Sequence, residues 1–350
     1  MSTPREEGFY FPAEWHPHVS TWITFPHNDH SWQGDKLGQM YPEYFALIRT
    51  ISTGEVVNIQ VNDAALASFI ESQLPAYGID PTQVVLHIRP TNDAWCRDHG
   101  PAFLVHEHTD ERLLIDWEYN AWGGKYPPYG DDNASPKAIA QSLGMRSVSP
   151  GIIMEGGSVD FNGAGAVLTS RSCLLNPNRN PHLSQADIEQ YLCDYYGVQQ
   201  VLWVSDGIVG DDTDGHIDDT VRFVNSNTVI AMVEPRVDDE NHAVLAQNLV
   251  ELKEMRLLNG EPLNIIEIPM PDPVVIDDFR APGSYANFYI CNAGLIVPTF
   301  DCPQDAFALD TLAQLFPDRA VIGLSAKQIT WGQGSFHCLT QQEPQANACV

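Results

Sequence analysis

The stretch that decides the fold is Val159-Asp-Phe-Asn-Gly-Ala-Gly-Ala-Val-Leu-Thr169, in which an Asn162-Gly163 pair separates two short runs rich in apolar residues. Two strands around an Asn-Gly turn are typical of a β-hairpin. A helix is predicted next over 184–196, because Ser184 with Asp187 resembles a capping box. The apolar run Val201-Leu-Trp-Val204 predicts a further strand. The local order is therefore strand, strand, helix, strand.

The same order recurs along the chain. Further hairpins are predicted from Thr220 and from Asn287, and the starts at 159, 220 and 287 are 61 and 67 residues apart. A looser fourth unit has strands at 103–107 and 112–116 and a helix that starts at Ser135 and ends at Gly144. The N-terminal region predicts strands at 21–24, 56–61 and 84–88 and helices near 40–51 and 64–75. We expect the two chain ends to complete a fifth unit together.

Repeated ββαβ units favour a ring, because each unit needs neighbours to cover its faces and a ring leaves no open edge. No linker or low-complexity tract interrupts the chain. We therefore predict an α/β fold that forms one domain over 1–350, rather than the two domains that length alone suggests.

The composition narrows the range of partners. The 350 residues include 18 Lys+Arg and 46 Asp+Glu, which gives a formal net charge of −28. Clustered basic residues are needed to bind nucleic acid or an anionic membrane, so the sequence predicts neither partner. An acidic cleft would concentrate a small cation, although the charge also suits solubility alone.

Two features of the sequence bear on the cellular compartment of the protein. No apolar run approaches the length of a membrane span, and the first residues lack the pattern of a signal peptide. The 7 cysteines are scattered without CxxC pairs, which favours a reducing cytoplasm over a disulfide framework or a zinc site. The oligomeric state is left open, with a homo-oligomer as one alternative.

Residues suited to chemistry fall just before the first strand of several units. Asp98 precedes the strand at Phe103, Glu155 precedes Val159, and the run with His216 and Asp218 precedes Thr220. Equivalent positions in a ring of like units point to its axis, so we predict one pocket that holds these four polar side chains. The segment Gly332–Gln342, with Cys338, is expected to supply the remaining rim.

Each residue also has a plain structural interpretation. Asp98 suits an ion pair with Arg97, Glu155 a solvated turn, and His216 with Asp218 a buried pair. Cys338 alone is typical of a small buried apolar residue. His337 is expected to face away from its neighbour Cys338, because adjacent side chains on a strand alternate.

The set is more informative than its members, because three carboxylates, one histidine and one cysteine suit a guanidinium substrate. Carboxylates accept paired N–H bonds from that planar fork of donors. A cysteine thiolate could then attack its central carbon, and a histidine could protonate the leaving ammonia and later activate water.

Seven motifs in order resemble those of the agmatine deiminase family, which also contains the Porphyromonas-type peptidylarginine deiminases. The resemblance runs from Gly8 to Gln342 and rests on Asn92-Asp-Ala-Trp-Cys-Arg-Asp-His-Gly-Pro101, Asn120-Ala-Trp-Gly-Gly-Lys-Tyr126, Glu155-Gly-Gly157, Leu174-Leu-Asn-Pro-Asn-Arg-Asn-Pro181, Asp211-Asp-Thr-Asp-Gly-His-Ile-Asp218, Ser284-Tyr-Ala-Asn-Phe288 and His337-Cys-Leu-Thr-Gln-Gln342.

The resemblance implies a pentein α/β-propeller, with five pseudo-symmetric ββαβ units around a central axis, and no metal or organic cofactor. It implies that Cys338 is the nucleophile and forms a covalent thiouronium, with His216 as the general acid and base. Asp98 and Asp218 would hold the guanidinium nitrogens, and Glu155 would lie beside His216 and the substrate. Trp95 would form an aromatic wall near the substrate stem. The sequence departs from the family at Gly332-Gln-Gly-Ser335, where Gly-Gly-Gly-Asn is common.

The expected activity is therefore that of a cytoplasmic hydrolase acting on the C–N bonds of linear amidines. It would convert agmatine and water to N-carbamoylputrescine and ammonia, a step of polyamine metabolism toward putrescine. Three alternative reactions share this chemistry of attack on a guanidinium: arginine deimination, peptidyl-arginine deimination, and amidino transfer to an amine. Two others lie outside it: a divalent-metal hydrolase built on Asp98, Glu155, His216 and Asp218, and a polyamine binder without activity.

Overall fold

The structure is a computed structural model that describes residues 2–347, so Cys349 lies outside the described residues. Strands and helices alternate along the chain, which confirms the predicted α/β class. The longer helices are Lys36–Ile51, Ala64–Gln73, Ser135–Leu143, Gln185–Tyr196, Asn241–Glu254 and Gln304–Leu315.

Five sheets of three or four strands lie within the described residues, and all five follow the predicted order. In each sheet an antiparallel pair is extended by a strand that runs parallel to the second member of the pair, after an intervening helix. The first sheet consists of Phe9–Tyr10, Ala102–His106, Arg112–Ile115 and Ser147–Val148. The next three sheets consist of Val159–Phe161, Ala166–Ser170 and Gln200–Val204; of Val221–Phe223, Thr228–Val233 and Asn264–Pro269; and of Tyr289–Cys291, Gly294–Thr299 and Val321–Ser325. The fifth sheet consists of Thr340–Pro344, His18–Thr24, Val56–Val61 and Val84–Ile88.

The last of these sheets joins the two ends of the chain. Thr340–Pro344 runs antiparallel to His18–Thr24, with Gln342 opposite Thr21, and Val56–Val61 continues the sheet in parallel. The expectation that the chain ends complete a fifth unit is confirmed.

Local signals set several element ends as predicted. Ser184 and Asp187 form a reciprocal capping box at the start of Gln185–Tyr196, and Gly197 ends that helix in the left-handed conformation with φ 71°. Lys36–Ile51 begins four residues before the predicted start near 40, although it includes Pro42. Its buried face packs into the largest apolar core, and this burial outweighs the low intrinsic propensity of the first turns.

A small two-stranded ribbon, Val274–Ile276 with Phe279–Ala281, was not predicted from the sequence. In the described part of the chain, no helix is both long enough and apolar enough to cross a membrane.

Four one-turn helices precede the first strands of four sheets, and they position the candidate site. They are Cys96–His99, Gly156–Ser158, Ile217–Asp219 and Phe336–Leu339. The turn at 96–99 contacts those at 336–339 and 156–158, and the turn at 156–158 contacts the one at 217–219. The polar motifs therefore meet although they lie far apart in sequence.

Candidate active site

Gly157 marks the point where the predicted side chains converge. A Cβ added at Gly157 would lie 2.6 Å from His216 Nδ1, 2.9 Å from Asp98 Oδ1 and 3.0 Å from Asp218 Oδ2. These three polar atoms come from three different turns and surround one small space that only a residue without a side chain leaves free. The structure thus brings three of the four residues predicted to share a pocket, Asp98, His216 and Asp218, to one place.

Asp98 is held by donors other than its neighbour in sequence. Its Oδ1 accepts the Gly157 N–H at 3.0 Å, and its Oδ2 accepts Trp122 Nε1–H at 3.0 Å. Arg97 instead donates to the His337 carbonyl and to Gln342 Oε1. The structural interpretation of Asp98 as a partner of Arg97 is therefore wrong.

Trp122 reaches Asp98 from an unusual turn. Ala121 and Trp122 have φ angles of 51° and 55°, and Gly123 and Gly124 follow with 91° and 79°. Left-handed backbone is costly for residues with a Cβ, and such strain concentrates at functional sites. Asn120 caps the turn by accepting the Gly123 N–H at 2.8 Å. Sequence reasoning found this motif only through the family resemblance and did not assign Trp122 a contact.

Glu155 is fully buried behind His216. Its Oε1 accepts Arg179 Nε–H at 2.6 Å, and its Oε2 lies 3.9 Å from His216 Nε2. Cys173 Sγ lies 3.8 Å from the same Oε2. Glu155 is therefore part of a buried charge cluster, and the interpretation of it as a solvated turn residue is wrong. The sequence did not reveal that Arg179 is its partner.

The side of His216 that faces Gly157 is Nδ1, which lies 3.8 Å from Asp98 Oδ1. Neither ring nitrogen of His216 has a hydrogen-bond partner within the described residues, although the ring is fully buried. Buried polar atoms without partners are rare in proteins. The two ring nitrogens are thus available to a ligand.

Asp218 contacts both His337 and Cys338. Its Oδ2 accepts His337 Nδ1–H at 2.7 Å and lies 3.7 Å from Cys338 Sγ. The expectation that His337 faces away from the site is wrong, because Phe336–Leu339 is a helical turn and strand alternation does not apply there.

Asn287 holds the thiol. Its Nδ2 donates to Cys338 Sγ and to Asp219 Oδ1, both at 3.0 Å, and its Oδ1 accepts the His337 N–H at 3.0 Å. Asn287 lies in one of the motifs that carry the family resemblance, but the sequence offered no sign that its amide reaches the cysteine across 51 positions.

Cys338 and Asp98 open into a cavity of about 610 Å³. Trp95 and Trp122 also line it, and Trp95 stacks on Trp32 with ring centroids 5.3 Å apart. This arrangement agrees with the expectation of an aromatic wall at Trp95. Gly332 and Gln333 complete the rim, as predicted for the C-terminal segment.

The buried ionisable groups of the site shift one another's pKa values. Burial raises the pKa of Asp98, and the neighbouring Asp218 and Glu155 carboxylates raise it further. Burial also raises the pKa of the Cys338 thiol well above its ordinary value, and Asp218 adds to that effect. Burial by itself would lower the pKa of His216, but the Asp98 carboxylate together with Cys173 and Glu155 holds that pKa well above its usual value.

Two carboxylates stay ionised because cations lie beside them. Burial opposes ionisation of Glu155, but the Arg179 guanidinium lowers the pKa of Glu155 overall. The hydrogen bond from His337 likewise lowers the pKa of Asp218 against the effect of burial. The site therefore combines carboxylate acceptors, a protonated histidine and a neutral thiol.

Three side chains have the spacing of metal ligands. One ligand atom each from Glu155, Cys173 and His216 lies within 4.8 Å of the others. The four-residue metal site considered from the sequence, which includes Asp98 and Asp218, is not this group. Arg179 already occupies one oxygen of Glu155, so a metal ion there would face a neighbouring cation.

The arginines considered for a substrate carboxylate are engaged elsewhere. Arg97 and Arg179 are buried and bonded within the protein, and Arg171 pairs with Glu251 at 3.6 Å. None of the three lines the 610 Å³ cavity.

Comparison with known proteins gives consistent matches over the whole chain. Residues 10–344 match the model of the Porphyromonas-type peptidyl-arginine deiminase family. A curated relative, the agmatine deiminase of Pseudomonas putida, is 35% identical over 98% of this chain and 97% of its own. The agmatine deiminase of Enterococcus faecalis superposes with a TM-score of 0.89 at 30% identity and covers 99% of this chain and 98% of its own. The agmatine deiminase of C. jejuni with substrate bound has a TM-score of 0.88 at 29% identity, over 97% of each chain.

Proposed function

The chain belongs to the Porphyromonas-type peptidyl-arginine deiminase family, and from that premise we propose that it hydrolyses agmatine to N-carbamoylputrescine and ammonia. Relatives and solved structures that match nearly the whole chain are named agmatine deiminases. The enzyme class is thus a hydrolase of guanidino C–N bonds.

One observation carries the proposal: polar atoms of His216, Asp98 and Asp218 surround the space beside Gly157, next to the thiol of Cys338. A guanidinium that enters from the adjoining 610 Å³ cavity, which Cys338 and Asp98 line, would donate N–H bonds to both aspartates, and carboxylate–guanidinium pairs are strong and directional. Its positive charge would add to that of His216 in offsetting the buried carboxylates of Asp98 and Asp218.

We propose that Cys338 attacks the central guanidinium carbon. The bound cation would lower the raised pKa of the thiol, so the thiolate forms when substrate is present. The thiol proton passes to solvent through the cavity that Cys338 lines. As the C–S bond forms, His216 donates a proton through Nδ1 to one guanidinium nitrogen, and the C–N bond to that nitrogen breaks to release ammonia. The product of this step is a covalent thiouronium on Cys338.

In the second half, His216 takes a proton from water, and the hydroxide attacks the same carbon. The C–S bond breaks, the thiolate regains a proton, and N-carbamoylputrescine leaves. Glu155 would hold His216 from the Nε2 side, where the two groups lie 3.9 Å apart. Across both halves, one water is consumed and one ammonia is released.

The charges of the cavity favour agmatine over arginine. The described lining includes five aspartates, Asp29, Asp93, Asp98, Asp132 and Asp212, of which burial raises the pKa of Asp93 to about 6 and that of Asp132 to about 7. Lys125 also lines it, but its ammonium group is bonded to Asp214 Oδ1 at 2.9 Å. A second ammonium at the far end of agmatine suits this surface, whereas the α-carboxylate of arginine would meet repulsion.

The test is ammonia release from agmatine, arginine and a peptidyl-arginine at matched concentrations, with the Cys338→Ala variant as control. We expect turnover of agmatine above the others, and we expect the variant to bind agmatine without releasing ammonia. Turnover of arginine or the peptide above agmatine would replace the substrate assignment. Wild-type ammonia release by Cys338→Ala would refute the covalent mechanism.

Two experiments distinguish the proposed deiminase from a divalent-metal hydrolase and from a polyamine binder without activity. Loss of activity with a thiol alkylator, together with full activity after a chelator, would exclude a divalent-metal hydrolase. Binding of agmatine without ammonia release by the wild-type protein would indicate a polyamine binder.

We also propose the finer points of organisation. The contacts among the one-turn helices support five units in a pentein ring within one domain. A cytoplasmic location and a homo-oligomeric state remain predictions.

A further inference from the structure

His337 has an environment that its place next to Cys338 does not explain. The ring is buried, with Nδ1 at 2.7 Å from Asp218 Oδ2 and Nε2 at 2.7 Å from Glu14 Oε2. Both acceptors are carboxylate oxygens. A neutral imidazole carries a single N–H donor, so two donations to carboxylates require the imidazolium.

The far side of His337 is built from further charges. Glu14 Oε2 also accepts Arg222 Nη2–H at 2.9 Å, and Arg222 Nε donates to Asp160 Oδ1 at 2.8 Å. Negative and positive groups thus alternate from Asp218 through His337, Glu14 and Arg222 to Asp160. Such a buried chain is stable only when every member keeps its partner.

The near side of His337 sets the state of Asp218. His337 occupies Oδ2, while Asp218 Oδ1 is buried and has no partner among the described residues. His337 therefore fixes Oδ2, which is also the oxygen that lies toward Gly157 and 3.7 Å from Cys338 Sγ. A carboxylate held in this way can accept a guanidinium N–H through its remaining lone pairs at a fixed position.

We propose that His337 is a positioning residue for the reaction: an imidazolium, anchored by Glu14, that fixes the orientation of Asp218 beside Cys338. The inference rests on the proposed function, since it deepens the role given to Asp218. His337 acts through Asp218 and does not itself touch the substrate.

Two variants of His337 separate its two contacts. In His337→Asn the side-chain amide reaches the position of Nδ1 and can still donate to Asp218, but not to Glu14. In His337→Gln the amide reaches the position of Nε2 and can donate to Glu14, but not to Asp218. Both variants remove the charge, so they form a matched pair.

We expect His337→Gln to raise the KM for the turned-over guanidine at least tenfold, and His337→Asn to raise it less than threefold. Both variants should lose kcat. A purely structural role would lower thermal stability and shift the two KM values equally. An equal KM in both variants, or wild-type kinetics in His337→Gln, would overturn the proposal.

A second measurement uses the wild-type protein and does not depend on folding of the variants. Neutron diffraction of crystals exchanged into deuterated buffer should show deuterium on both ring nitrogens of His337. A bare nitrogen on either side would refute the imidazolium. If the wild-type protein released no ammonia from agmatine, the proposed function would fail, and the diffraction result would still decide the state of His337.

Discussion

Replacing Gly157 with alanine tests whether the polar atoms of His216, Asp98 and Asp218 around it act on the substrate. The added Cβ would lie 2.6 Å from His216 Nδ1, whereas an ordinary contact starts at 3.4 Å. The imidazole, or the turn at 156–158, must therefore shift by about 0.8 Å. Displacements of about 1 Å in an active site cost roughly 100-fold in rate, or about 2.7 kcal/mol of transition-state stabilisation.

The same substitution should leave the fold intact. Gly157 is outside the left-handed region, so alanine adopts its backbone conformation without strain. Alanine restricts the unfolded chain, which stabilises the folded protein by about 0.4–1 kcal/mol, but overpacking around the added methyl group destabilises it by about 1–3 kcal/mol. We expect a modest loss of thermal stability and a normal circular dichroism spectrum.

The measurement is kcat/KM for ammonia release from agmatine. Gly38→Ala is the matched control, because Gly38 lies on an exposed helix position with nothing within 4 Å of an added Cβ. We expect the control to keep wild-type kinetics. A Gly157→Ala protein that kept kcat/KM within about threefold of wild type would refute the role of these three polar atoms in the reaction.

Three further outcomes are expected. Trp122→Phe removes the 3.0 Å bond to Asp98, so kcat/KM for ammonia release should fall about tenfold, mainly through KM; an unchanged KM would contradict this. Burial raises the pKa of Asp93 from 3.8 to about 6, so the folded protein holds this proton below about pH 6 and loses the associated stability as pH rises. The free energy of unfolding of Asp93→Asn, measured in urea, should therefore rise relative to that of wild type by up to about 3 kcal/mol between pH 4 and pH 8. A difference between the two proteins that does not change with pH would refute the titration. Because the thiol of Cys338 has a raised pKa beside carboxylates, chloroacetamidinium should alkylate it at pH 7 at least tenfold faster than neutral chloroacetamide, and equal rates would exclude activation by a bound cation.

Most of the secondary structure could be predicted from local signals. The Asn162-Gly163 turn, the capping box at Ser184 and the helix end at Gly144 act over a few neighbouring residues, and the structure contains all of them. The start of Lys36–Ile51 was misplaced, because its position depends on burial against distant strands rather than on its own residues.

The candidate site was predicted in part. The repeat order brought Asp98, Glu155, His216 and Asp218 to one place, because equivalent positions in similar units meet where the units meet. The partner of each group could not be predicted. Arg179, for example, bonds to Glu155 rather than lying near a substrate carboxylate.

By itself, the sequence determined the strand and helix order, the family, and the residue types available for attack on a guanidinium. Only the tertiary structure decided which way those side chains point. Phe336–Leu339 is a helical turn, so His337 meets Asp218 and Glu14, and Asn287 reaches Cys338 from a loop 51 positions away. The reason is physical: hydrogen bonds between distant segments fix the local backbone of these turns, and the backbone conformation in turn fixes the direction of each side chain.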